Sequence, residues 1–167
     1  MLNPWRIAPL ALLGFIAFAA AANAQTVPDG SGTLAGGDRL RVPGCGREAG
    51  PVSVDFALAA NGAWTADLGA TTYSGTSTQL GPRLARLTLD AASLAALETA
   101  LETDASALCE ETVTIDSLAT RAALVVSKRQ TRARLLFGAR ATGTSAGGGE
   151  GNGLYQLRAG GAWTAVP

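Results

Sequence analysis

Large apolar residues stand at Val52, Val54, Phe56 and Leu58, with Ser53, Asp55 and Ala57 between them. Alternation of period two marks a strand with one face buried. The turn that follows is decided by the same pattern. A two-residue Asn61-Gly62 loop would set Leu58 across from Thr65 and Phe56 across from Asp67, mixing the faces. A three-residue Ala60-Asn61-Gly62 loop, with Gly62 in the left-handed conformation, sets Leu58 against Trp64, Phe56 against Ala66 and Val54 against Leu68. Only the second register keeps one face apolar, and a slip of one residue would turn the strand inside out.

The phrase Gly-Ala-Trp-Thr-Ala occurs at residues 62–66 and again at 161–165. Tyr155 and Leu157 alternate ahead of the second copy, and Ala159-Gly160-Gly161 reads as a turn placing Trp163 opposite Leu157. The repeat therefore predicts one hairpin design used twice, with structural aromatic anchors Phe56 and Trp64 in the first copy and Tyr155 and Trp163 in the second.

Between the copies, 71–78 and 83–89 read as strands joined around Gly81-Pro82. Asp90 then caps a helix expected over about 90–108, with Leu94, Leu97, Leu101 and Leu108 at helical spacing on one side. Val113 and Ile115 open a further strand, and 121–127 with 132–141 read as a hairpin. Residues 38–42 read as a short strand, followed by a Pro43-Gly44-Cys45-Gly46 turn. Residues 143–153 hold six glycines and are expected to form a mobile loop. The predicted fold is α+β and mostly antiparallel, with about eight strands in a curved sheet or small open barrel and one packed helix.

The amino terminus sets the compartment. Arg6 precedes an apolar run from Ile7 to Ala22, and Ala22-Asn23-Ala24 supplies small residues for cleavage. This is the order of a secretory signal peptide over 1–24. The run is shorter than the roughly 20 residues that span a bilayer, so no stable membrane anchor is expected after cleavage. Residues 25–37, rich in Gly, Ser and Thr, read as a flexible leader, and 38–167 as a single β-rich domain. Cys45 and Cys109, an even pair in an exported chain, are expected to form a disulfide. The protein is then periplasmic or secreted.

Charge excludes some functions and suggests others. Thirteen basic residues less Arg6 leaves twelve against thirteen acidic, a balance with no pull toward nucleic acid. There is no histidine and no closely spaced cysteine pair, so neither a metal nor a cofactor is expected. Gly143-Thr144-Ser145-Ala146-Gly147 matches a hydrolase nucleophile elbow in letters, but that motif needs a strand-to-helix turn and a histidine base. Glu98 with Glu102, and Glu110 with Glu111, read as helix-surface acids, and no catalytic residue is assigned. From Asp90 to Asp116 there are seven acidic residues and no basic one, and from Ser117 to Arg140 six basic and no acidic one. Either the two segments lie together and their surfaces complement, or Arg132, Arg134 and Arg140 form a guanidinium stripe able to bind anions. The expectation is a non-catalytic cell-envelope domain binding a partner or ligand through its β scaffold. The alternatives are a carrier of a small apolar ligand, a protein inhibitor of an envelope hydrolase acting through the 143–153 loop, and a carboxylate-based hydrolase.

Overall fold

A computed structural model describes residues 27–166 of the chain; the expected signal peptide lies outside them. The strands are β1 (Gly30–Val42), β2 (Gly46–Leu58), β3 (Ala63–Leu68), β4 (Thr71–Gly81) and β5 (Leu84–Leu89). The helix α1 (Ala91–Cys109) follows, then β6 (Val113–Val126), β7 (Arg132–Ser145), β8 (Glu150–Ala162) and a two-residue β9 (Thr164–Ala165). Neighbours pair antiparallel in the order β2-β3-β4-β5-β6-β7-β8-β1, and β1 also pairs with β2. The fold is α+β and mostly antiparallel with eight barrel strands and one packed helix, as expected, and the expected curved sheet or open barrel is closed. Eight strands enclose a space that side chains can just fill.

The β2–β3 hairpin has the register that the apolar pattern requires. Leu58 faces Trp64, Phe56 faces Ala66 and Val54 faces Leu68, and Gly62 takes a positive φ of 83°. The second copy of the phrase is different. Residues 159–161 do not turn; they continue β8 in an unbroken pairing with β1 and β7. Leu157 lies opposite Phe137 and Asp38 rather than Trp163. The Gly-rich 25–37 segment is likewise no leader from Gly30 onward, because β1 begins there and runs thirteen residues. Its glycines permit close strand approach: a Cβ on Gly36 would collide with the Arg158 carbonyl of β8. Even Val27 is buried, its amide donating to Gln79 Oε1 at 2.9 Å. The expected 143–153 loop also pairs, Thr142 with Asn152 and Gly143 with Gly151, leaving only a turn around 146–149. The two strands expected over 113–115 and 121–127 are one, β6, interrupted by a bulge between Ile115 and Ser117.

The helix crosses one end of the barrel, touching β6, β1, β4 and β2. It buries Ser93, Leu97, Leu101 and Ala105, one residue per turn, while Leu94 and Leu108 are half-buried. Asp90 is its cap: Oδ1 accepts from the Ser93 amide at 2.7 Å, and Oδ2 accepts from the Ser74 hydroxyl at 2.5 Å. The Ser74 amide donates in turn to Ser93 Oγ at 2.7 Å, so the first turn is tied to β4. Farther along, Glu102 Oε1 accepts from the Ile115 amide at 2.7 Å and Ser106 Oγ from the Val113 amide at 2.9 Å. The Cys45–Cys109 disulfide fastens the far end to the β1–β2 turn. These ties hold the helix down as a fixed cover.

Candidate functional site

Inward-facing positions build the core and the space beneath the helix. Phe56 stacks on Trp64 with ring centroids 5.9 Å apart, and Trp163 lies 6.2 Å from the same Phe56. Both indoles are buried, and Tyr155 packs edge-on to Phe137 at 6.1 Å. Trp64 Nε1 donates to the Thr76 carbonyl at 3.0 Å, whereas Trp163 Nε1 is buried with no partner among the described residues. All four aromatic anchors named from the sequence are therefore interior. Leu34 and Leu124 are wholly inaccessible to solvent, at 0 % exposure.

Under the helix the filling is incomplete. A cavity of about 160 Å³ is walled by Phe56, Trp64, Leu68, Leu87, Leu97, Leu101 and Phe137, with Asp38, Tyr73, Asp104 and Tyr155 among its lining residues. A second cavity, of about 330 Å³, lies toward the disulfide, between the end of the helix and the β7–β8 turn, and is lined by Leu101, Cys109, Glu111, Ala141 and Tyr155 among others. The polar group between the two is a cluster. Tyr155 Oη donates to Asp38 Oδ2 at 3.1 Å. Burial first, and then the nearby charge of Asp38, push the Tyr155 hydroxyl well above the ordinary phenol range. Burial first, and then the charge of Asp104, also raise the Tyr73 hydroxyl. Asp104, with solvent on its outer side, is itself held above the usual carboxylate range by desolvation and by the charges of Glu48 and Asp38.

None of these acids was singled out from the sequence, although a signal existed. Asp38 has the same parity as Leu40 and Val42, which places it on the buried face of its strand. Asp104 follows Leu97 and Leu101 by seven and three residues, which sets it at the exposed edge of the helix's buried stripe, next to buried Ala105.

The outer surface is where the predicted arginines lie. Arg132, Arg134 and Arg140 are all exposed and share one face of β7. They do not make one compact site, because six residues of strand separate Arg134 from Arg140 by about 20 Å. Register supplies other partners. Arg86 of β5, Ala123 of β6, Leu136 of β7 and Arg158 of β8 stand side by side, with Arg134 diagonal to Arg158. Leu136 is 42 % exposed and Leu84 37 %, so apolar side chains are interleaved with these guanidinium groups. At the other end Arg140, Leu154, Arg41 and Arg47 form a second row. Away from both rows, Asp55 faces Asp67 on β2–β3; Asp55 accepts from the Thr33 hydroxyl and Asp67 from the Thr72 hydroxyl, at 2.6 Å each. The helix covers the barrel end while these arginines point away from the barrel axis, so the acidic and basic blocks occupy different surfaces.

The Gly143–Gly147 segment lies at the end of β7 and in the turn to β8, with the Gly148 amide donating to the Ser145 carbonyl at 2.8 Å. Of the helix acids, Glu102 is occupied by the Ile115 amide, and Glu110 is the left-handed cap of the helix at φ 56°. Among the described residues no group of three or more His, Cys, Asp or Glu is placed to hold a metal ion, and no helix is long and apolar enough to cross a membrane. No family model, curated protein or solved structure matches the chain.

Proposed function

We propose that this chain is an exported, non-catalytic domain that docks on anionic lipid headgroups through the outer face of β5–β8 and β1. The observation that carries the reading is the row Arg86–Ala123–Leu136–Arg158 with Arg134 beside it. Guanidinium groups are suited to phosphate oxygens, and the exposed Leu136 and Leu84 among them suit the boundary between headgroup and acyl chain. Arg41 directly opposite Arg47 supports the same reading, since like charges across a strand pair are unfavourable unless an anion lies between them. The disulfide is compatible with an extracellular or periplasmic location. The outward strand faces carry Arg, Thr and Ser, the reverse of the apolar band around a membrane-spanning barrel, so the proposed contact is peripheral.

Sedimentation with phosphatidylglycerol and phosphatidylcholine vesicles tests it. Binding should favour the anionic vesicles and fall as salt rises. The Arg86→Gln, Arg134→Gln, Arg158→Gln triple variant should lose roughly 3 kcal/mol of partitioning at about 1 kcal/mol per basic residue, with little change in melting temperature. Equal binding to both vesicle types at low salt refutes the reading, and saturable capture by an acidic polysaccharide alone transfers the face to a different partner.

A further inference from the structure

The cavity beneath the helix is one of two spaces left beside the helix. Leu34 and Leu124 are sealed from solvent, and protein interiors ordinarily leave few voids larger than a water molecule. Its volume of about 160 Å³ is close to that of an engineered apolar cavity, about 150 Å³, that admits benzene. Phe56, Trp64 and Leu97 form apolar wall, while Asp38 and Asp104 bring carboxylates to the same chamber and, among the described residues, no Lys or Arg lines it. Tyr155 satisfies Asp38 Oδ2, leaving Oδ1 to accept from a guest. We propose that this chamber binds a single-ring aromatic amine, with its ring against Phe56, Trp64 and Leu97 and its ammonium group between Asp38 and Asp104. The two ends of such a molecule match the two chemistries of the wall. Desolvation first, and then the charges of Glu48 and Asp38, keep Asp104 from ionising as freely as an ordinary aspartate, and a bound cation offsets those charges. The site is independent of the outer arginine face and stands or falls separately.

The disulfide-intact protein, residues 25–167, would be titrated with benzylamine and with toluene at neutral pH, reading Trp fluorescence and the shift in melting temperature. Benzylamine should saturate and bind about tenfold more tightly than toluene, as expected of a hydrogen bond to a charged group. Asp104→Asn, a change at an exposed helix position, should bring benzylamine down toward the toluene affinity while toluene is unaffected. Ala100→Leu, on the cavity-lining side of the helix, should abolish both, with circular dichroism confirming that it folds. Absence of saturation by benzylamine overturns the proposal. So does toluene binding as tightly as benzylamine, or benzylamine binding that survives both substitutions.

Discussion

Trp64 and Trp163 meet the same phenylalanine, yet their replacement by phenylalanine should have unequal consequences. Each Trp→Phe change removes the extra carbons of the indole from a buried site, a loss of roughly 1 kcal/mol. At Trp64 it also deletes the 3.0 Å bond to the Thr76 carbonyl, adding about 1 to 2 kcal/mol for the lost bond and the acceptor left behind. At Trp163 the deleted group is a buried N–H with no partner among the described residues. Its removal returns a desolvation cost of about 1 to 2 kcal/mol, which offsets the lost packing. Trp64→Phe should therefore destabilise by about 2 to 3 kcal/mol and Trp163→Phe by no more than about 1 kcal/mol in either direction. Urea unfolding of the two variants, with unchanged m-values, reads the difference directly. Equal losses, or a larger loss at Trp163, would refute the assignment of a satisfied and an orphaned indole.

Two further outcomes follow from the way the helix is held. The disulfide closes a separation of 64 residues, so the Cys45→Ala, Cys109→Ala double variant should lose about 4 kcal/mol and roughly 10 to 15 °C of melting temperature; amide exchange should accelerate first in 105–115, and an unchanged melting point would contradict the anchoring role. Asp104 has a raised folded-state pKa, so its ionisation opposes folding: that penalty is absent below its unfolded pKa of about 3.9 and grows as pH rises through the folded value. Asp104→Asn should accordingly raise the melting temperature at pH 7 and lose that gain near pH 3, and a gain independent of pH would count against the charge cluster.

What could be read ahead of the structure divides along the range of the interaction. The β2–β3 register follows from alternation over a few residues and one left-handed glycine, and the helix start from one capping aspartate; both are local. The Cys45–Cys109 pairing needed only a count and a compartment. The closure of the barrel is not local. It depends on β1 lying against β8, more than a hundred residues away, and the glycines that let the two backbones approach are the same residues whose composition resembles a leader and a loop. The candidate sites divide similarly. Arg132, Arg134 and Arg140 were visible as a run on one strand, but Arg86 and Arg158 join Arg134 only through pairings on both sides of β7. Asp38 and Asp104 belong to segments 66 residues apart, and only the helix crossing the barrel end brings them together.

The repeated phrase shows how tertiary context overrides local sequence. In the first copy Asn61 Oδ1 accepts from the Ala63 amide at 3.0 Å, and Gly62 turns the chain. In the second, glycine replaces that asparagine, and Gly160 and Gly161 lie between β7 and β1, where a Cβ on Gly161 would collide with the Thr33 carbonyl. Pairing on both sides holds this segment extended until Trp163, whose amide donates to the Thr131 carbonyl at 3.0 Å. The two backbones differ, but each delivers its indole to Phe56. Gly30 completes the second arrangement by having no side chain, since a Cβ there would stand 2.9 Å from the Trp163 ring. The shared words therefore encode a shared destination in the core, and the residues around them decide whether the chain reaches it through a hairpin or along a straight strand.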